Sequence, residues 1–223
     1  MAFIDGMSNL GRSKDSCMKL TNRDWVQLSA TVALIFLFSI AALAQQTQIT
    51  LDPAQTKVSW TLGDVLHTVE GTFKLKSGNI VFDPKTGDAS GQIVVDARSG
   101  ESGNDKRDSK MQKEVLESAR YPEITFLPKH VTGNLPTQGT STLQVQGIFR
   151  IHGGDHDMTL SFPVHADGSR ASATTKFEVP YEAWGMKNPS VMFLKVENKV
   201  EISISAVGTI SITATTSTAT TRP

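Results

Sequence analysis

Cysteine is nearly absent: Cys17 is the only one in 223 residues. An intramolecular disulfide framework and a cysteine-based zinc site are thereby excluded. A surplus of charge is missing too, with 22 Lys and Arg against 22 Asp and Glu. No basic block stands out, which argues against a nucleic-acid binder, because neutralising phosphates needs Lys and Arg gathered on one face. The apolar run Val32 to Leu43 carries no charge but falls short of the ~20 residues a membrane-spanning helix needs. At 20% charged residues the chain is not a polytopic membrane protein, and at 39% hydrophobic it is not fully disordered. Glycine-rich phosphate loops and dinucleotide fingerprints are absent. Gly100-Glu101-Ser102-Gly103 is one residue short of a G-x-S-x-G nucleophile elbow and reads as a flexible loop.

What is present begins with a leader. Lys19 and Arg23 precede the apolar run, and Ala42-Leu43-Ala44 ends it in an A-x-A pattern. Residues 1–44 therefore read as a secretory signal peptide cleaved before Gln45. Met18 is a better initiator than Met1, since residues 1–17 are an unusual polar extension; Cys17 then falls outside the protein. One domain is expected from residue 45 onward, with a barrel over 45–210. Residues 211–223 are Thr-rich and are expected to be disordered beyond Ile212.

The dominant period in this domain is two. Val58, Trp60 and Leu62 alternate with polar residues, as do Val69, Gly71, Phe73 and Leu75, then Ile80 and Phe82. The pattern recurs at Ile93-Val95-Ala97, at Leu143 through Ile151, and at Met158 through Val164. It returns at Ala173 through Val179 and at Val200 through Ile210. Each segment reads as a strand with one apolar face. Short turn-rich gaps favour antiparallel pairing, and one-sided polarity suits a barrel or sandwich. One segment departs: Ser109 to Ser118 carries Met111, Val115 and Leu116 at helical spacing. Ser109 and Gln112 resemble a capping box, Tyr121-Pro122 is the stop, and Arg98 to Gly103 is expected as a mobile loop before the helix.

Chemistry is sparse. His152, Asp155, His156 and Asp157 could together ligate a divalent ion. Strand parity opposes this, because Ile151 faces inward, His152 then faces outward, and His156 shares the inward parity of Met158. Gly153-Gly154 reads as the hairpin turn. No metal ligand and no catalytic residue is assigned. What remains is an inward set of large aromatics: Trp60, Phe73, Phe82, Phe126, Phe149, Phe162, Phe177, Trp184 and Phe193. They form either a packed core or the lining of a cavity for an apolar ligand.

Three blocks carry a resemblance. The first runs from Val58-Ser59-Trp60 through Gly71-Thr72-Phe73 to Gly78-Asn79-Ile80-Val81-Phe82-Asp83-Pro84. The second runs from Arg107-Asp108-Ser109-Lys110-Met111 to Tyr121-Pro122-Glu123-Ile124-Thr125-Phe126. The third runs from Val145-Gln146-Gly147 to Ile151-His152-Gly153, with Met158-Thr159-Leu160 beyond. Together they resemble the YceI-like lipid/polyisoprenoid-binding family, over Thr50 to Ile210. The resemblance implies an all-β fold, an extended antiparallel lipocalin-like barrel of about eight strands with one short helix. It implies a long isoprenoid chain in an apolar interior, and often a periplasmic location. Trp60 and the Gly153-Gly154-Asp155-His156 turn depart from the family pattern.

The expected function is a periplasmic or secreted, non-enzymatic binding protein. It would carry or sequester a polyisoprenoid, an isoprenoid quinone or a similar lipid, with no cofactor beyond that ligand. The nine aromatics would line the interior, and Arg98, Arg107 and Asp108 would stand at the mouth near the headgroup. No nucleic-acid partner is expected; transient membrane contact and a dimer stay open. Two rivals remain: a metal-dependent hydrolase-like enzyme on the His152–Asp157 cluster, and a structural or stress-response module with a solid core.

Overall fold

The computed structural model describes residues 43–63, 68–190 and 195–216. The leader up to Ala42, Cys17 and Met18, Phe193 and the last seven residues lie outside them. Among the described residues, nine strands form one antiparallel sheet: β1 (Leu43–Leu51), β2 (Lys57–Gly63), β3 (Thr68–Phe82), β4 (Ala89–Glu101), β5 (Glu123–Thr132), β6 (Gln138–Ile151), β7 (Gly154–Asp167), β8 (Arg170–Val179) and β9 (Val200–Thr216). Strands β2 to β9 close on themselves as an eight-stranded barrel through the β3–β4 and β2–β9 pairings. The ninth strand shares a stave. β2 occupies the slot between β3 and β9 at one end, from Val58 opposite Phe73 and Ile204. β1 occupies it at the other, from Ile49 opposite Ile80 and Ile210. A turn at 52–56 separates the two: Asp52 accepts the Ala54 and Thr56 backbone N–H groups and donates its own to the Val207 carbonyl.

Alternation in the sequence becomes alternation of burial. On β6, Leu143, Val145, Gly147, Phe149 and Ile151 are buried while Gln144, Gln146 and Arg150 are exposed. β3 changes parity midway. Its pairing with β4 shifts between Leu75 and Ser77, and that extra residue lets both Phe73-Leu75 and Gly78-Ile80-Phe82 turn inward. Across β2 and β3, Trp60 pairs with Gly71; a Cβ on Gly71 would stand 2.4 Å from the indole and from the Glu101 carbonyl oxygen. The bare glycine is what admits the large ring at that position.

The walls are not equally knit. β6 and β7 pair along their full lengths, from Gln138 opposite Asp167 to Ile151 opposite Gly154. β8 and β9 likewise pair from Arg170–Thr209 to Val179–Val200. β7 and β8 pair only from Val164–Ala173 to Asp167–Arg170, and part beyond that.

Five sequence expectations need correction. The helix begins earlier, at α1 (Asp105–Lys110), and continues as a wider π-type turn over Met111–Val115. Asn104, not Ser109, is the N-cap, its side-chain oxygen accepting the Lys106 and Arg107 N–H groups. Gln112 donates instead to the Ala97 and Gly100 carbonyls and pins the helix to β4. Arg98 to Glu101 is strand rather than mobile loop. The β6–β7 turn residues are His152 and Gly153, both at positive φ (52° and 76°), as a two-residue type I′ turn demands; Gly154 already pairs with Ile151. Finally, β9 runs past Ile212 to Thr216, because β1 offers it a partner as far as Leu43. Threonine suits a strand in spite of its polarity, since its branched Cβ favours extended backbone.

Candidate functional site

Two voids lie in the barrel interior among the described residues. The larger, about 470 Å³, lies at the end covered by α1 and by residues 180–190 and 195–199 between β8 and β9. Its wall is built from β2 and β9 (Val58, Trp60, Leu62, Val200, Ile202, Ile204), with Phe73, Phe149, Ile151, Phe177 and Val179 around it. Met111, Val115 and Leu116 of the helix and Tyr181, Met186, Pro189 and Val196 of the connecting segment form its cover. The smaller void, about 120 Å³, lies deeper, between Ile49, Leu75, Ile80, Phe126, Leu143, Leu160 and Phe162. Val58, Val95, Ile124, Phe149, Phe177 and Ile204 line both, so they form the waist between two successive chambers. A solid-core module is not what these residues build.

Charge enters at one place. Lys106, Arg107 and Lys110, all on α1, line the larger chamber, and among the described residues no carboxylate is in its lining. Lys110 Nζ donates to the Pro189 carbonyl at 2.9 Å and ties the helix to the connecting segment. Arg107 is steadied by Ser102, whose hydroxyl oxygen accepts from Nε at 2.7 Å and whose carbonyl accepts from the guanidinium at 2.9 Å. The cover is fixed from below by Tyr181. This residue is only 4% exposed, and its hydroxyl donates to the Glu197 carbonyl. Burial, with the nearby Glu182 and Glu197 carboxylates, pushes its phenol up to about 12.

The aromatics named from the sequence divide accordingly. Trp60 and Phe73 line the larger chamber, Phe126 and Phe162 the smaller, and Phe149 and Phe177 both. Phe82 is 4% exposed but packs in the core without lining either chamber. Trp184 also lies outside the lining; it stacks on His156 at 3.8 Å and 8° and reaches Phe149 at 5.9 Å. Of the three residues expected at the mouth, only Arg107 belongs to the lining. Arg98 donates to the Ser118 carbonyl, and Asp108 accepts the Ser102 N–H, so both anchor the loop. Sequence reasoning misses Lys110 because Lys110 and Lys113 interleave with Glu114 and Glu117 like a solvated helix face, and misses Lys106 because it precedes the expected helix start at Ser109. The earlier start of the helix is the signal that turns them toward the chamber.

The histidine cluster does not converge. Asp155 forms a two-bond pair with Arg150 at 2.6 and 2.8 Å, which holds its carboxyl below the ordinary aspartate range. His152 lies at the turn, its Nε2 3.4 Å from a Glu117 oxygen and its ring 4.8 Å from that of Tyr121. His156 is occupied by Trp184. Among the described residues, no group of three or more His, Cys, Asp and Glu side chains is placed to hold a metal ion.

The YceI-like domain family matches residues 49–208, nearly the whole barrel. The chain belongs to that family. Among solved structures, it is similar to BcnA of Burkholderia cenocepacia at 21% identity and a TM-score of 0.57, covering 70% of this chain and 98% of that one. A polyisoprenoid binding domain from Saccharophagus degradans, implicated in plant cell wall breakdown, gives 16% identity and a TM-score of 0.57, covering 76% and 99%. The YCEI protein of Campylobacter jejuni gives 17% and 0.50, covering 65% and 86%. These likenesses establish the YceI-like barrel; at such identities they carry no ligand across. No curated protein matches the chain.

Proposed function

We propose that this YceI-like protein is an exported, non-enzymatic binding protein that carries or sequesters a polyisoprenoid, an isoprenoid quinone or a similar lipid. The observation that carries the reading is the pair of adjacent chambers, lined among the described residues by apolar side chains apart from Thr56, Thr125, Tyr181 and three cations at one end. At roughly 30 Å³ per non-hydrogen atom, 470 Å³ accepts about 15 chain atoms and 120 Å³ about four more. Each methylene taken from water contributes ~0.8 kcal/mol, so fifteen give ~12 kcal/mol gross, of which association consumes a large part. Useful affinity thus follows with few polar contacts. Lys106, Arg107 and Lys110 suit the oxygen-bearing end of the lipid. That the Saccharophagus degradans neighbour is named as a polyisoprenoid binding domain supports the same class of ligand.

Native mass spectrometry of protein purified from its own cell envelope, with organic extraction, tests the reading. A long-chain lipid should be recovered in about stoichiometric amount, on a chain whose first residue is Gln45. A chain that emerges empty and also refuses long-chain quinones would remove the carrier assignment. A chain that retains residues 1–44 would remove the cleaved leader.

A further inference from the structure

The two chambers together hold about four five-carbon isoprene units, at roughly 30 Å³ per atom. A longer tail has to leave the barrel, and the deep chamber is ringed by hydrogen-bonded ladders on most sides. One side differs. Beyond the Val164–Ala173 pair, no ladder joins β7 to β8, so Gly154–Pro163 and Thr174–Val179 face each other as two free edges. Each strand's other edge is fully engaged, with β6 and β9 respectively. The strands part at Pro163, which has no N–H to give to either neighbour.

Side chains close this gap. Phe162 from β7 and Phe177 from β8 are half-buried and line the deep chamber. Phe149 braces Phe177 edge-on at 5.9 Å. Toward the mouth, the stacked His156 and Trp184 shut the same side. Opening here needs only turns of aromatic side chains, whereas opening elsewhere breaks backbone hydrogen bonds.

Resting on the lipid-binding reading, we infer that the β7–β8 seam is a side exit for the tail of a lipid too long for the chambers, with Phe162 and Phe177 as its shutters. The protein then sets no upper limit on isoprenoid length. The head end lies under α1, the first four units fill the chambers, and the remainder passes out between the two strand edges.

The test joins the seam covalently. A β7–β8 ladder continued past Val164–Ala173 would pair Ser161 with Lys176, both exposed on the outer face, so a disulfide between them forms only by drawing the two free edges together and closing the seam. Ser161→Cys with Lys176→Cys, in a Cys17→Ser chain, is oxidised and titrated with isoprenoid alcohols of three and of eight units. The expected result is at least tenfold weaker binding of the eight-unit alcohol, three-unit binding within twofold of the parent, and recovery on reduction. Phe162→Trp, which needs no oxidation, should give the same length-selective loss in smaller measure. Equal binding of both alcohols before and after closure, or equal loss of both, would overturn the exit. A parent chain that binds neither alcohol overturns the carrier reading itself, and the exit with it.

Discussion

The waist between the chambers offers a quantitative check on how the interior is used. Val95 lines both chambers, on the β4 stretch that pairs with β5 at Ile124. Val95→Phe places a ring at the junction and separates the 120 Å³ space from the 470 Å³ space. The deep space corresponds to about four chain atoms at roughly 30 Å³ each, or nearly one isoprene unit. At ~0.8 kcal/mol per methylene its loss is worth ~3 kcal/mol, about a hundredfold in affinity. Isothermal titration calorimetry with isoprenoid alcohols of three and four units reads this directly. The parent should gain about two orders of magnitude from the fourth unit, and Val95→Phe should gain almost nothing. Binding of the three-unit alcohol should change little. Overpacking costs ~1–3 kcal/mol where a ring meets filled space. Because a void lies beside Val95, melting should fall by less than such a cost implies. A folded variant that still gains from the fourth unit would refute the two-chamber account, as would one that loses both alcohols equally.

Other consequences concern the cover and the frame. The Tyr181 phenol is raised from its ordinary 10 to about 12, so its neutral form stabilises the fold at every pH below about 10. That stability, ~2–3 kcal/mol for two units, should vanish as pH rises from about 10 through about 12. In urea titrations across this range, Tyr181→Phe should start ~1 kcal/mol lower, for the lost bond to Glu197, and should decline less steeply than the parent. Parallel declines would refute the assignment. Gly71→Ala should lower the melting temperature markedly, since its Cβ would meet Trp60 and the Glu101 carbonyl at 2.4 Å; pairing it with Trp60→Leu should recover only part, because the backbone contact persists. Asn104→Ala should cost ~1 kcal/mol in chemical denaturation through the lost cap, whereas Ser109→Ala, outside the cap, should be nearly neutral.

The strands and their inward faces were legible in the sequence because burial on one side of a sheet leaves a period of two. Val145 to Ile151 and Ala173 to Val179 carry it without interruption, and the barrel and its family follow from such segments. Where the reading failed, a non-periodic device had intervened. Ser109 resembles a cap because Gln112 follows it three residues on, at the head of an apolar pattern. Asn104 lies five residues earlier, and its role depends on the turn made by Ser102, Asp108 and Arg107, which no period records. The threonines of 213–216 looked unstructured because composition does not report that a partner strand lies alongside.

The site was legible in its chemistry more than in its membership. An inward aromatic can pack, as Phe82 does, or line, as Phe177 does, and the two share one parity and one residue type. What separates them is how far the opposite wall stands, which strand pairing decides. At the β7–β8 seam that distance is freed from the ladder altogether. The residues there, Phe162 and Phe177, are therefore the ones whose state a sequence pattern cannot fix and a bound chain can change. A barrel knit on every side would have made the same aromatics a static core. The four-pair junction between Val164–Ala173 and Asp167–Arg170 keeps the barrel closed while leaving those rings room to move.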